Sequence, residues 1–337
     1  MNSEESNTGE CFLVPMDDGT RLNLRRWKTA AKPKAILHIV HGMAEHSQRY
    51  ARLAHRLLKE GIEVWAADQR GHGETATSKL NDPAKGGLLG HSADGDGFAR
   101  VTADIDILNR AIKKEHPDTP IFLMGHSWGS FIAQNYIENF ESHGDDGHGD
   151  DGHGEESVTL AGCILSGTRG PDGIKITMGA SLLSFLTFIL GQRSGSLIAK
   201  AAADGPYNKP FRPNRTDFDW LSRDENEVDL YVADPLCGML CSVGFYRDMT
   251  RGLKRIHIPE EMAQIRKGLP IYIFSGGADP VGDMGESPAA LVVAYRHLEI
   301  ADLETVLYPD ARHETLNETN REEVQESLVS WLLRHCG

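Results

Sequence analysis

The apolar run Ile121-Phe122-Leu123-Met124 leads directly into Gly125-His126-Ser127-Trp128-Gly129, and helical spacing (Phe131, Ile132, Asn135, Tyr136) follows at once. A chain that turns from strand to helix so sharply holds its apex residue at strained backbone angles and leaves no room for side chains at the flanks. Glycine on either side and serine at the apex meet that demand, in the Gly-x-Ser-x-Gly pattern of a nucleophile elbow. The strand feeding it is apolar throughout, as a strand buried on both faces must be. An open sheet with helices on both sides is the architecture this local pattern calls for.

The rest of the chain supplies the repeats of such a sheet. Phe12-Leu13-Val14 and Arg21-Leu22-Asn23-Leu24-Arg25 flank an Asp18-Gly19 turn signal and read as an antiparallel hairpin. Buried strands are expected at Ala35–Val40, Val64–Ala67, Ile121–Met124, Leu160–Leu165, Ile271–Phe274 and Thr305–Tyr308, giving a mostly parallel eight-stranded sheet. Helical stripes lie between them. Tyr50, Leu53, Ala54, Leu57 and Leu58 share a face that Gly61 can close; Phe98, Val101, Ile105, Leu108 and Ile112 share another; Val324, Leu328, Trp331 and Leu332 form the last.

Two stretches break the alternation. From about Thr168 to Lys267 the strand–helix rhythm lapses for far longer than the ~4–6 residues of an ordinary loop, so residues 168–268 are expected to form an inserted helical cap on a core of 1–167 and 269–337. Within it Ile176–Leu190 carries no charge but is short of the ~20 residues a bilayer span needs, which favours a buried or lid-forming helix. The second break, His143–Glu156, repeats His-Gly-Asp-Asp-Gly and has no apolar residue, so it reads as a disordered surface insert. Its three histidines and six carboxylates also allow a divalent-metal tract.

A length of 337 residues suits one catalytic domain with an insertion. The net charge of −14 repels phosphate backbones and argues against a nucleic-acid partner. Five scattered cysteines without paired motifs, and an amino terminus with neither a basic nor an apolar signal region, point to a reduced, cytoplasmic setting.

Serine is a weak nucleophile until a base within reach takes its proton. With the triad order Ser, acid, His, the base lies beyond the insertion, among His257, His297, His313 and His335. Only His313 stands in a loop between the final strand and the final helix. The acid should follow a strand end, and Ile273-Phe274-Ser275-Gly276-Gly277-Ala278-Asp279-Pro280 delivers Asp279; Asp310, three residues before His313, is the alternative but reads as a turn residue. Negative charge on a tetrahedral intermediate needs amide donors. Trp128 N–H, just after the serine, is one, and Met43 N–H, in the loop after Ala35–Val40, is the other.

The runs His41-Gly42-Met43-Ala44-Glu45-His46-Ser47-x-Arg49-Tyr50, Asp68-x-Arg70-Gly71-His72-Gly73, Gly125-His126-Ser127-x-Gly129, Asp279-Pro280 and His313-Glu314 together resemble the monoacylglycerol lipases and bacterial lysophospholipase-like hydrolases. That resemblance implies the α/β-hydrolase fold, a Ser127–Asp279–His313 triad, oxyanion amides at Met43 and Trp128, and a helical cap that admits acyl chains and touches membranes. It implies hydrolysis of a small acyl ester, a monoacylglycerol or lysophospholipid, with neither cofactor nor metal. Trp128 departs from the methionine usual after the serine, and its ring would narrow the acyl tunnel. Two rivals remain: a proline-iminopeptidase-type aminopeptidase using carboxylates in the Asp217–Glu227 stretch, and a non-catalytic metal-binding protein built on the histidine tract.

Overall fold

The expected hairpin forms β1 (Glu10–Pro15) and β2 (Arg21–Trp27), paired antiparallel, and β2 then pairs antiparallel with β4 (Ile62–Ala67). The remaining pairings, through β3 (Ala35–Val40), β5 (Ile121–His126), β6 (Gly162–Ser166), β7 (Ile271–Gly276) and β8 (Leu303–Tyr308), are all parallel. The sheet order is β1-β2-β4-β3-β5-β6-β7-β8. This computed structural model describes residues 9–141, 158–171, 183–184, 186–203 and 205–336. The His143–Glu156 tract, and residues 176–182 and 185 of the uncharged run, lie outside the described residues.

Alternate side chains of each strand face opposite layers, as the two-residue period of a strand requires. Ile36, Val40, Ile121, Leu123, Cys163, Leu165, Ile271 and Ile273 point to one side, where α2 (Gly97–Glu115), α3 (Trp128–Asn139) and α7 (Glu286–His297) cover them. Leu37, Ile39, Phe122, Met124, Ile164, Tyr272 and Phe274 point to the other, beneath α1 (Ala51–Leu58) and α8 (Arg321–Arg334). Both faces are therefore dry, which is why the central strands read as unbroken apolar runs. Each such side chain contributes on the order of 1.5–3 kcal/mol through burial, enough in sum to fix the register of the sheet.

Register places the chemistry. Val40 pairs with Gly125, His126 with Ser166, and Gly276 with Tyr308, so the carboxyl ends of β3, β5, β6, β7 and β8 form one edge. The loops leaving that edge carry Met43, Ser127, Asp279 and His313. Between β6 and β7 the chain forms α4 (Leu197–Ala203), α5 (Glu225–Ala233) and α6 (Val243–Arg255). Helix α6 packs on α2 so closely that a Cβ on Gly252 would overlap the Phe98 ring. The segment before α5 reaches the catalytic edge, where the carbonyls of Trp220 and Leu221 accept from the amides of His313 (3.4 Å) and Glu314 (2.8 Å).

Candidate active site

Ser127 stands at the apex of the β5–α3 turn with φ +51° and ψ −121°, left-handed values a non-glycine residue adopts only under constraint. The constraint is visible in the packing. A Cβ on Gly125 would strike the Gly129 carbonyl, and one on Gly129 would strike the Val40 carbonyl, so only glycines let strand and helix approach. The Ser127 amide donates to the Ser166 carbonyl at 2.9 Å, pinning the turn to β6. With its backbone so held, the serine presents its hydroxyl to a pocket shared with His313, Met43 and His126.

Asp279 follows β7 and is fully buried. Its Oδ1 accepts the Val281 amide (2.8 Å), leaving Oδ2 to accept from His313 Nδ1–H at 2.9 Å. Because the carboxylate can only accept, this bond puts the proton on Nδ1 and frees Nε2 to act as a base. Burial by itself would lower the imidazole pKa, but the Asp279 charge and hydrogen bond outweigh it, and His313 is raised above the ordinary value. The ring packs between His126 (centroids 4.9 Å) and Trp220 (5.1 Å). It lies over the end of β6, where a Cβ on Gly167 would sit 3.1 Å from its Cε1.

The other candidate histidines do not line this pocket. His335 bonds Asp302 at 2.9 Å, His297 is exposed at the end of α7, and His257 is only partly exposed in the turn after α6. Asp310 sits exposed in the turn after β8. Trp128 opens α3, and a first-turn amide has no acceptor within its own helix. Met43 lies in the turn after β3, whose Gly42 amide is held by Glu45 Oε1 at 2.5 Å. The Trp128 ring does not enter the pocket. It is 1% exposed, packed against Phe98 and Phe245, with its indole N–H donating to Gln69 Oε1 at 2.9 Å, so the expected narrowing of an acyl tunnel does not arise.

Residues 31–320 match the family described as serine aminopeptidase, S33. The chain belongs to that family. Relatives include the Mus musculus monoglyceride lipase, 29% identical over 271 residues that make up 79% of this chain and 72% of the relative. The Mycolicibacterium smegmatis monoacylglycerol lipase is 26% identical over 323 residues, 94% of each chain. Among solved structures, a thermostable carboxyl esterase from Bacillus coagulans in complex with glycerol superposes with a TM-score of 0.83 at 25% identity, covering 97% of this chain and 99% of that one. A soluble variant of the Saccharomyces cerevisiae monoglyceride lipase superposes at 0.72 with 20% identity over 97% and 96% of the two chains, a likeness of fold. The fold is that of the α/β-hydrolases, and this S33 member is a carboxylic ester hydrolase.

Some S33 site residues escaped the sequence reading. Gln69 joins the elbow to the oxyanion turn: its side chain bonds both the Trp128 indole and the His41 carbonyl (2.6 Å). Glu45, Arg49 and Glu314 form a buried ion-pair group beside the pocket. All but Gln69 were present in motifs quoted above, yet charged residues in loops carry no mark of their partners. Among the described residues, two groups have metal-ligand composition: His46, Asp234 and Cys237, and Asp302, Glu304 and His335. Neither contains a residue of the Ser127–Asp279–His313 set.

Proposed function

We propose that the chain hydrolyses monoacylglycerols through an acyl-enzyme on Ser127, with His313 as base, Asp279 as its orienting acid, and the amides of Met43 and Trp128 as the oxyanion hole. The observation that carries this reading is the 2.9 Å Asp279–His313 bond in the same pocket as the strained Ser127. Ser127 Oγ attacks the ester carbonyl as its proton passes to His313 Nε2. Collapse of the tetrahedral intermediate breaks the ester bond, and the histidine returns that proton to the departing glycerol oxygen. Water, deprotonated by the same nitrogen, then releases the fatty acid.

Support for an acyl ester comes from the pocket walls, where Phe218, Trp220, Leu221 and Met239 supply apolar surface, and from relatives named as monoglyceride lipases. Lysophospholipids fit the same description. Residues 168–268 would serve as the cap over this pocket. Its outer surface carries Phe188 (88% exposed) and Ile189, and eight residues on Leu197 (75%) and Ile198, two exposed apolar pairs suited to transient contact with a lipid surface. Among the described residues no helix is long and apolar enough to cross a membrane. The five free cysteines agree with a reducing, cytoplasmic setting.

Three of the five carboxylates in the Asp217–Glu227 stretch are otherwise occupied: Asp219 accepts from the Arg215 and Thr216 amides, Asp224 caps α5, and Glu227 pairs with Arg52. None of the three lines the pocket around Ser127. The deciding experiment is labelling with a fluorophosphonate probe, followed by turnover of monooleoylglycerol and of a prolyl arylamide. Wild-type protein should label at Ser127 and hydrolyse the glyceride, and Ser127→Ala should lose on the order of 10⁶-fold in kcat. An unlabelled wild type, or an alanine variant with undiminished turnover, defeats the proposal.

A further inference from the structure

The oxyanion turn and the histidine loop leave different strands, yet a single guanidinium grips both. Arg49 Nη1 donates to Glu45 Oε2 (2.8 Å) and to Glu314 Oε1 (2.5 Å), while Nη2 donates to Glu314 Oε2 (2.7 Å). Glu45 uses its other oxygen to accept the Gly42 amide (2.5 Å), the residue before Met43, and the Tyr50 hydroxyl (2.9 Å). Glu314 is the residue after His313. Both carboxylates are almost wholly buried, and the face of Arg49 lies over the Tyr231 ring at 4.8 Å. Tyr231 in turn donates to the Ala44 carbonyl at 2.9 Å, inside the same turn.

We propose that Arg49 is a positioning residue for ester hydrolysis: the Glu45–Arg49–Glu314 brace fixes the Met43 amide and the His313 imidazole relative to one another. The inference rests on the roles assigned above to Ser127, His313 and Met43. A buried ion pair adds little net stability compared with apolar side chains of the same shape, because both charges lose their hydration. What a planar, bidentate guanidinium does supply is direction, since its donors sit in a fixed fork that an ammonium cannot copy. Direction is what this reaction needs. The oxyanion amide must meet the carbonyl oxygen while the base, on another loop, takes the proton of the serine oxygen that attacks the same carbonyl, and a misplacement of about 1 Å costs on the order of 10²-fold in rate.

Two variants test the brace, both read with p-nitrophenyl butyrate, with the fluorophosphonate probe and by thermal melting. Arg49→Lys keeps the charge and removes the fork. We expect kcat and the rate of Ser127 phosphonylation to fall by roughly 10²-fold while KM stays within about threefold, because the loss belongs to the transition state and not to binding. Glu314→Gln keeps the shape and removes the charge beside the imidazole. Asp279, Glu45 and His126 also face that ring, and with one negative neighbour gone the acid limb of kcat/KM should move to lower pH, an effect a mere strut would not produce. Folded Arg49→Lys protein with kcat and phosphonylation within threefold of wild type overturns the brace. If Arg49→Lys melts below the assay temperature, Glu314→Gln decides alone by its phosphonylation rate at pH 9, where the imidazole is neutral in both proteins: a rate within threefold of wild type overturns the brace, and a larger fall supports it. Wild-type protein that fails to react at Ser127 would instead defeat the triad reading, so the two failures are distinguishable.

Discussion

At the scale of single residues, the proposed catalysis turns on one hydrogen bond, from His313 Nδ1–H to Asp279. Asp279 raises His313 by charge and by accepting Nδ1–H, against burial, which works the other way. The base acts only when neutral. A raised imidazole stays protonated to higher pH, so activity should be lost on the acid side with a midpoint above the ordinary ~6.5. Asp279→Asn removes the charge and the tautomer control together. It should lower kcat on the order of 10⁴-fold and carry the residual acid limb below its wild-type position, as a pH profile of kcat/KM from 5 to 9 would reveal. A wild-type midpoint at or below about 6 would contradict the raised imidazole. That Ser127, Asp279 and His313 would meet at one edge of the sheet was legible in the sequence, because each stands just past a strand. Arg49 and Glu314 were not, since they meet across 265 positions and nothing in either segment names the other.

Among the elements, β5, its elbow and α3 form the unit on which the site depends, and the glycines state why. Gly129 has no room for a methyl group because its α-carbon faces the Val40 carbonyl of the neighbouring strand. Gly129→Ala should therefore destabilise the protein by about 3 kcal/mol, the upper end of what overpacking costs, and should reduce activity more steeply than stability because the elbow itself must shift. Urea unfolding measures the first effect and titration of active sites with the probe the second; a change below about 1 kcal/mol would mean that strand and helix part without strain. Central strands could be read directly, since burial on both faces leaves only apolar choices. Strand β8 was expected to be buried like the others, but as the edge strand it is exposed at Thr305 and Leu307 and fully buries only Tyr308. The interval between β6 and β7 was read only as an inserted helical cap, without the bounds of its helices. Helix α6 needs Gly244 and Gly252 for close approach to the backbone of Gln192 and to Phe98, contacts that sequence spacing does not announce.

Across the whole molecule, the histidines of the interior govern its response to acid. His38, His126 and His257 are lowered to about 4 and His72 to about 3, chiefly by burial, and His41 and His91 shift the same way. A folded-state value below the unfolded ~6.5 means that the unfolded chain binds more protons between the two, so stability is complete above 6.5 and is lost as pH falls toward 4. Raised groups and net charge oppose this trend. The buried carboxyls of Glu138, Asp104 and Asp248 and the His313 imidazole are raised and so favour the folded state at low pH, and acidification reduces the self-repulsion of a chain with net charge −14. The repulsion acts through solvent over distances near the ~8 Å screening length of physiological salt, whereas the imidazoles lie in the interior where salt does not reach. The six lowered histidines also outnumber the four raised groups. The expected outcome is a urea midpoint that falls steadily from pH 7 to 4.5 and falls equally in 0.5 M NaCl. His38 offers the control, since its Nδ1 bonds Asn109 at 2.7 Å while Nε2 has no partner, and it sits in β3 away from the catalytic edge. His38→Leu should flatten the pH dependence by close to one proton. A midpoint that stays level to pH 4.5, or whose fall disappears in high salt, would show that surface charge and not the buried rings sets the acid limit.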